Sequence, residues 1–123
     1  MPFDEYNATV MDHFLNPRNT GELPGATATV SRDNPVCGDL VKLSIRIAGG
    51  RIVEARTKTF GCAAAIACAS ALTEMLIGRT VDEAAALRDS DVVERLGGLP
   101  EHKLKCSLVA QEVTRLALEQ ARR

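Results

Sequence analysis

Phe3, Tyr6, Val10 and Phe14 recur at helical spacing, and the pattern stops at Asn16-Pro17, where the residue before a proline is pushed out of the helical region. A first amphipathic helix is predicted there. Arg18 to Pro24 reads as loop, and Ala26 to Ser31, with its threonines and valine, as a short strand. Val41, Leu43, Ile45 and Ile47 then alternate with Lys42, Ser44 and Arg46. Beyond Ala48-Gly49-Gly50, the residues Val53, Ala55, Thr57 and Thr59 alternate with Glu54, Arg56 and Lys58. Alternation on both sides of a glycine pair predicts a half-buried antiparallel hairpin, with one face charged and wet and the other in need of covering helices.

From Cys62 the stripe Ile66, Ala69, Thr73 and Leu76 fits one helical face and ends at Gly78. Thr80-Val81-Asp82-Glu83 has the form of a capping box opening a short helix, and Asp91-Val92-Val93-Glu94 opens another. After Gly97-Gly98-Leu99-Pro100 a long last helix carries Cys106, Val109, Ala110, Val113 and Ala117 on one face. Strands followed by helices predict an α+β fold: a small three-stranded antiparallel sheet with helices packed on one face, an N-terminal helix and a long C-terminal helix, with residues 1–123 forming one domain.

Composition sharpens this. Hydrophobic residues make up 46% of the 123 and charged residues 25%, an ordinary globular balance; with no Trp and an aromatic share of 3%, the core has to be aliphatic. A formal charge of -1 and no basic run argue against a nucleic-acid partner. Met1-Pro2-Phe3-Asp4-Glu5 is acidic and no apolar run follows it, so neither a leader nor a membrane partner is expected and the chain is assigned to the cytoplasm. In that compartment the four cysteines are expected to be thiols rather than disulfides.

Three of those thiols lie where loop gives way to regular structure. Cys37 stands in Asn34-Pro35-Val36-Cys37-Gly38-Asp39, a tight turn in which Asp39 can point to the same side. Gly61 before Cys62 and Pro100 before Cys106 put both thiols near helix N-termini, where orphan amides and the helix dipole favour the thiolate, the form that binds metal. Three thiolates and a carboxylate suit tetrahedral zinc or one end of an iron–sulfur cluster. The hard oxygen of Asp39 holds a soft cluster less firmly than a fourth thiolate, which suits temporary custody. Spacing alone does not decide for such a site, because the gaps after Asp39 are long and no C-x-x-C pair occurs.

The remaining candidates have plainer readings. Cys68 lies about 240° around a helix from Cys62 and fits a second buried face with Leu72 and Met75. His102, four residues before Cys106, is either a solvated helix-start histidine or one member of a Cys106–His102 nucleophile pair in a covalent enzyme. His13 reads as structural or surface.

With those residues in view, the chain resembles the iron–sulfur cluster assembly scaffold family, IscU and the N-terminal domain of NifU, over nearly its whole length. The likeness is carried by Tyr6, Val10, His13 and Asn16-Pro17-Arg18-Asn19-Thr20-Gly21, by Asn34-Pro35-Val36-Cys37-Gly38-Asp39, by Phe60-Gly61-Cys62-Ala63 with Ala65-Ile66-Ala67, and by Leu104-Lys105-Cys106-Ser107. The resemblance implies a non-enzymatic scaffold: a pyridoxal-phosphate cysteine desulfurase delivers persulfide sulfur, iron enters the same site, and a transient 2Fe-2S cluster is built and passed to recipient apoproteins. It makes Cys37, Cys62 and Cys106 ligands and sulfur acceptors, Asp39 the labile carboxylate, and zinc a possible occupant. Two positions depart from the pattern. Lys105 stands where the family has His, as in the SufU branch of zinc-dependent sulfur acceptors, although their insertion between the second and third cysteines is missing. Leu99-Pro100-Glu101-His102-Lys103 stands for the Leu-Pro-Pro-Val-Lys segment read by an Hsp70-type chaperone with its co-chaperone.

Overall fold

A computed structural model describes residues 5–34 and 38–122. Helix α1 (Ala8–Leu15) leads into three strands, β1 (Ala28–Asn34), β2 (Asp39–Ala48) and β3 (Arg51–Phe60). Helices α2 (Ala63–Leu76), α3 (Val81–Ala85) and α4 (Asp89–Arg95) follow, then a 3₁₀ segment (Glu101–Ser107) that runs into α5 (Leu108–Ala121). The sheet is antiparallel in the order β1-β2-β3, as the alternation predicts.

The β2–β3 turn works because Gly49 and Gly50 both take positive φ, 60° and 76°, the conformation of a two-residue turn whose twist matches the strands. Val41, Leu43 and Ile45 project from β2 into the core, while Lys42 and Arg46 stay outside, where Lys42 and Lys58 pair with Glu22 and Arg46 pairs with Glu54. On β3 the expected phase fails at one point. Arg46 pairs with Glu54 but Ile47 pairs with Ile52, so Val53 is an extra, bulged residue. Val53 is therefore exposed, and Ile52 is fully buried in its place and exchanges backbone hydrogen bonds with Gly78 and Arg79 beyond α2.

Helix α2 is the central pillar. Its inward surface is wider than a single stripe: apart from half-exposed Ile66 and Glu74, every residue from Ala63 to Leu76 is buried. Six alanines let the sheet, α1 and the 3₁₀ segment close around it, the arrangement expected of a helix apolar on all sides. Fully buried Leu43, Ile45, Ile52, Leu72 and Leu76 form the centre, each contributing about 1.5–3 kcal/mol of burial.

Three further expectations are adjusted. In α1 the inward residues are Val10 and His13, with Phe14 half-buried; Tyr6 precedes the helix, Asn7 caps it by accepting Val10 N–H at 2.8 Å, and Phe3 lies outside the described residues. The Thr80–Glu83 capping box forms as predicted. Helix α4 starts earlier than Asp91, whose carboxylate accepts Arg88 N–H. The predicted long last helix is two elements, because Glu101–Ser107 winds as 3₁₀ before α5 begins.

Candidate metal centre

The hairpin register decides which residues meet at one end of the molecule. Leu40 of β2 faces Phe60 of β3, so Asp39 and Gly61, one step further out, are neighbours. Chain and helix then meet at Cys62, the N-cap residue of α2. The 3₁₀ segment packs against α2 and carries Cys106 one residue before Ser107, the N-cap residue of α5. Buried Asn34, at the end of β1, locks this segment by donating from Nδ2 to Lys105 O at 2.7 Å.

Asp39, Cys62 and Cys106 converge: one carboxylate oxygen and the two sulfurs lie within 4.8 Å of one another. The sulfurs are 3.4 Å apart, well beyond the about 2.05 Å of a disulfide. Tetrahedral zinc with Zn–S bonds of about 2.3 Å would separate its sulfurs by about 3.8 Å, so small side-chain adjustments bring these donors around one ion. Asp39 and Cys106 are only 4% and 5% exposed, whereas Cys62 is half-exposed and marks the open side.

The carboxylate is held at one oxygen only. Oδ1 accepts Cys62 N–H at 3.2 Å, while buried Oδ2 has no hydrogen-bond partner among the described residues. A buried carboxylate oxygen left unmatched costs at least the about 1–3 kcal/mol of an unsatisfied polar group. A cation supplies the missing partner. Two soft sulfurs with one carboxylate oxygen of Asp39 make a donor set that fits zinc or iron.

Of the residues singled out by sequence, three are brought together, and the fourth, Cys37 in Pro35-Val36-Cys37, lies outside the described residues. Lys105 is exposed beside Cys106. His102 does not behave as the partner of a Cys106 nucleophile: it is exposed with Nε2 3.3 Å from Glu5 Oε1, and in a 3₁₀ turn of three residues it eclipses Lys105 instead. Cys68 is buried in the core, and desolvation, reinforced by the nearby Cys62, pushes its thiol up to about 12.

Two residues make contacts at the site that sequence reasoning did not draw. Tyr6 borders it: desolvation raises its phenol above the ordinary value, Lys103 opposes this, and the sulfurs of Cys62 and Cys106 add to the rise together with Glu5. Gly61 is the other. A Cβ there would collide with Asp39 Oδ1 and lie 2.6 Å from its Cγ, a contact that the hairpin register could have revealed.

Comparison with known proteins places this geometry. The profile of the NifU-like N terminal domain family matches residues 5–123. The chain is 45% identical over 113 residues to the iron-sulfur cluster assembly scaffold protein IscU 1 of Archaeoglobus fulgidus, covering 92% of this chain and 74% of that protein. It is 39% identical over 117 residues to the scaffold protein IscU of Escherichia coli, covering 92% and 91%. Among solved structures, a putative iron-sulfur cluster assembly scaffold protein for the SUF system from Fervidobacterium islandicum superposes with a TM-score of 0.76 at 21% identity, over 96% of this chain and 99% of that one, a likeness of fold. The chain belongs to the NifU-like N-terminal domain family.

Proposed function

We propose that this chain, acting as one domain, is a scaffold on which a 2Fe-2S cluster is assembled and from which it is passed on, with Cys37, Asp39, Cys62 and Cys106 as its ligands. The observation that carries the reading is the convergence of Asp39, Cys62 and Cys106, with one oxygen of the Asp39 carboxylate unmatched among the described residues. Cys37 is two residues from Asp39, so its Cα is within about 7 Å of that residue's Cα and within reach of the same centre. The names of the relatives, cluster assembly scaffolds, point the same way.

In this reading a cysteine desulfurase docks over the open side. Its persulfide gives up the outer sulfur to a scaffold thiolate, and the desulfurase cysteine leaves as thiolate. Iron then enters the same ligand set, and an external electron donor reduces the delivered sulfur to the sulfide of the cluster. Exposed Phe60 and Leu104, each two residues before a site cysteine, offer apolar contact for such a partner and for recipient apoproteins. Leu99-Pro100-Glu101-His102-Lys103, with Glu101 and His102 exposed, is the segment for an Hsp70-type chaperone and co-chaperone. The carboxylate ligand makes the cluster easier to release than four thiolates would.

Anaerobic incubation with ferrous iron, cysteine, a cysteine desulfurase and dithiothreitol as reductant tests this. Visible charge-transfer absorption should develop, and it should be lost in Cys37→Ala, Cys62→Ala and Cys106→Ala alike. Exposed Lys105 in place of a potential histidine ligand favours a second reading, a zinc-bound sulfur acceptor. That protein would stay colourless in the same mixture, retain zinc, and accept labelled sulfur.

A further inference from the structure

Gly61 does not take a positive φ, so backbone conformation gives no reason for glycine at this position. Space does. A Cβ built there would run into Asp39 Oδ1 and come within 2.6 Å of its Cγ and 2.9 Å of its Cβ. Of the other glycines only Gly97 has anything within 4 Å, the amide of Asn7 at 3.3 Å. Gly61 is thus the glycine whose missing side chain is occupied by a candidate ligand. The residue on its far side, Cys62, donates the N–H that fixes Asp39 Oδ1, and this leaves Oδ2 as the unmatched atom.

We propose that Gly61 is a positioning residue that admits the Asp39 carboxylate to the ligand set, Oδ1 on Cys62 N–H and Oδ2 toward the ion. This rests on Asp39 being a ligand, as read above. Any side chain at position 61 turns the carboxylate out, and the site becomes a sulfur set completed by solvent. The residue that decides between oxygen and solvent as the fourth donor is therefore not itself a donor.

Cobalt(II) is the probe, because its visible ligand-field bands respond to replacement of one donor. Metal-free wild-type protein, Gly61→Ala, Asp39→Gly and the double variant are titrated anaerobically with Co²⁺ and then with Zn²⁺. Gly61→Ala should shift the bands to those of Asp39→Gly and lower affinity about 10- to 100-fold, the range for loss of a group that orients a ligand. The double variant should match Asp39→Gly in both readouts. The drop in thermal midpoint caused by Gly61→Ala should vanish in the Asp39→Gly background, where the three atoms nearest the new Cβ are gone. A wild-type spectrum in Gly61→Ala overturns the proposal. So does an equal drop in midpoint in both backgrounds, or a double variant that fails to fold, since either makes Gly61 a structural residue unrelated to Asp39. If Asp39→Gly itself leaves spectrum and affinity unchanged, the ligand reading beneath the proposal has failed.

Discussion

The α1–α2 contact buries His13 and Ser70, and the other end of α2 buries Asp39, yet only the first group is saturated by its neighbours. His13 Nδ1 lies 2.7 Å from Ser70 Oγ and Nε2 3.4 Å from Glu74 Oε1. Glu74 beside Nε2 places the proton of the neutral ring there, so Ser70 O–H donates to Nδ1 while its oxygen accepts Arg18 N–H at 2.9 Å. The same loop continues the closure: Asn19 Nδ2 donates to Thr73 Oγ1, Asn19 O accepts Thr57 N–H, and Gly21 N–H donates to Thr57 O. In this chain of contacts each of the His13, Ser70, Asn19, Thr73 and Thr57 groups has its partner within the fold. It resembles a hydrolytic triad in sequence of atoms, but Ser70 is 1% exposed and no substrate reaches it. At Asp39, Oδ2 has no partner among the described residues; Arg18 Nη1 and Thr59 Oγ1 are unmatched among them too, so the mark of a site for an exogenous ion is a carboxylate with an unmatched oxygen grouped with two thiols.

The sharpest way to break the contrast is to remove one group from each end and read both stability and metal binding. Cys62→Ala or Cys106→Ala should weaken zinc binding by more than the about 100-fold that loss of an outer-shell partner reaches, while metal-free stability changes little for half-exposed Cys62 and by about 1 kcal/mol for the buried sulfur of Cys106. Ser70→Ala should do the reverse. It strands Arg18 N–H and His13 Nδ1, costing about 1–3 kcal/mol in urea unfolding of the metal-free protein, with zinc affinity within about twofold of wild type. If Ser70→Ala lowered zinc affinity as far as Cys106→Ala, the two regions would not be separable.

How much of this contrast was readable in advance depends on whether a contact is local. The hairpin, the capping box and the burial of Cys68 follow from spacing within one element, and they form as expected. Val53 misled because a bulge is set by pairing across strands, and alternation along one strand does not record it. The 3₁₀ turn was hidden because Cys106, Val109, Ala110 and Val113 keep the same apolar face whether the preceding turn is α or 3₁₀. Within the site, the junction positions of Cys62 and Cys106 were legible from glycine and proline, but the Asp39–Gly61 contact was not drawn from the hairpin register that contains it. His13 read as structural or surface; it is buried against Ser70, a partner far away in sequence that spacing does not reveal.

Acid sharpens the comparison with a smaller effect. Burial, aided by Arg18, lowers the His13 value below its ordinary 6.5, more than Glu74 and Asp12 raise it; Arg95 acts in the same direction as Arg18. The unfolded chain therefore takes up a proton near pH 6.5 that the folded chain refuses until lower pH. Stability should be level above that pH, fall as pH drops below it, with a slope bounded by one proton, and level again once the folded ring protonates. His13→Gln, which keeps a neutral side chain of similar reach, should flatten this part of the profile in urea titrations of metal-free protein from pH 7.5 to 5. An unchanged slope in that variant would move the titration to another group.

The smallest effect is expected at Cys68, which shares a helix with Cys62 but not its fate. At about 12 and 3% exposed, its thiol is both protonated and covered at pH 8, where alkylation needs an accessible thiolate. Mild iodoacetamide treatment of the folded, metal-free protein followed by peptide mapping should modify Cys62 first and leave Cys68 unmodified until urea is added. Cys68→Ala should lower stability by about 1 kcal/mol, since alanine differs from cysteine only by the buried sulfur, and leave zinc affinity alone. Early labelling of Cys68 would mean that α2 opens on the timescale of the reaction. The separation between a closed pillar and an open mouth at its N-terminus would then be one of rate, with the alanine-lined surface of α2 exchanging between both conditions.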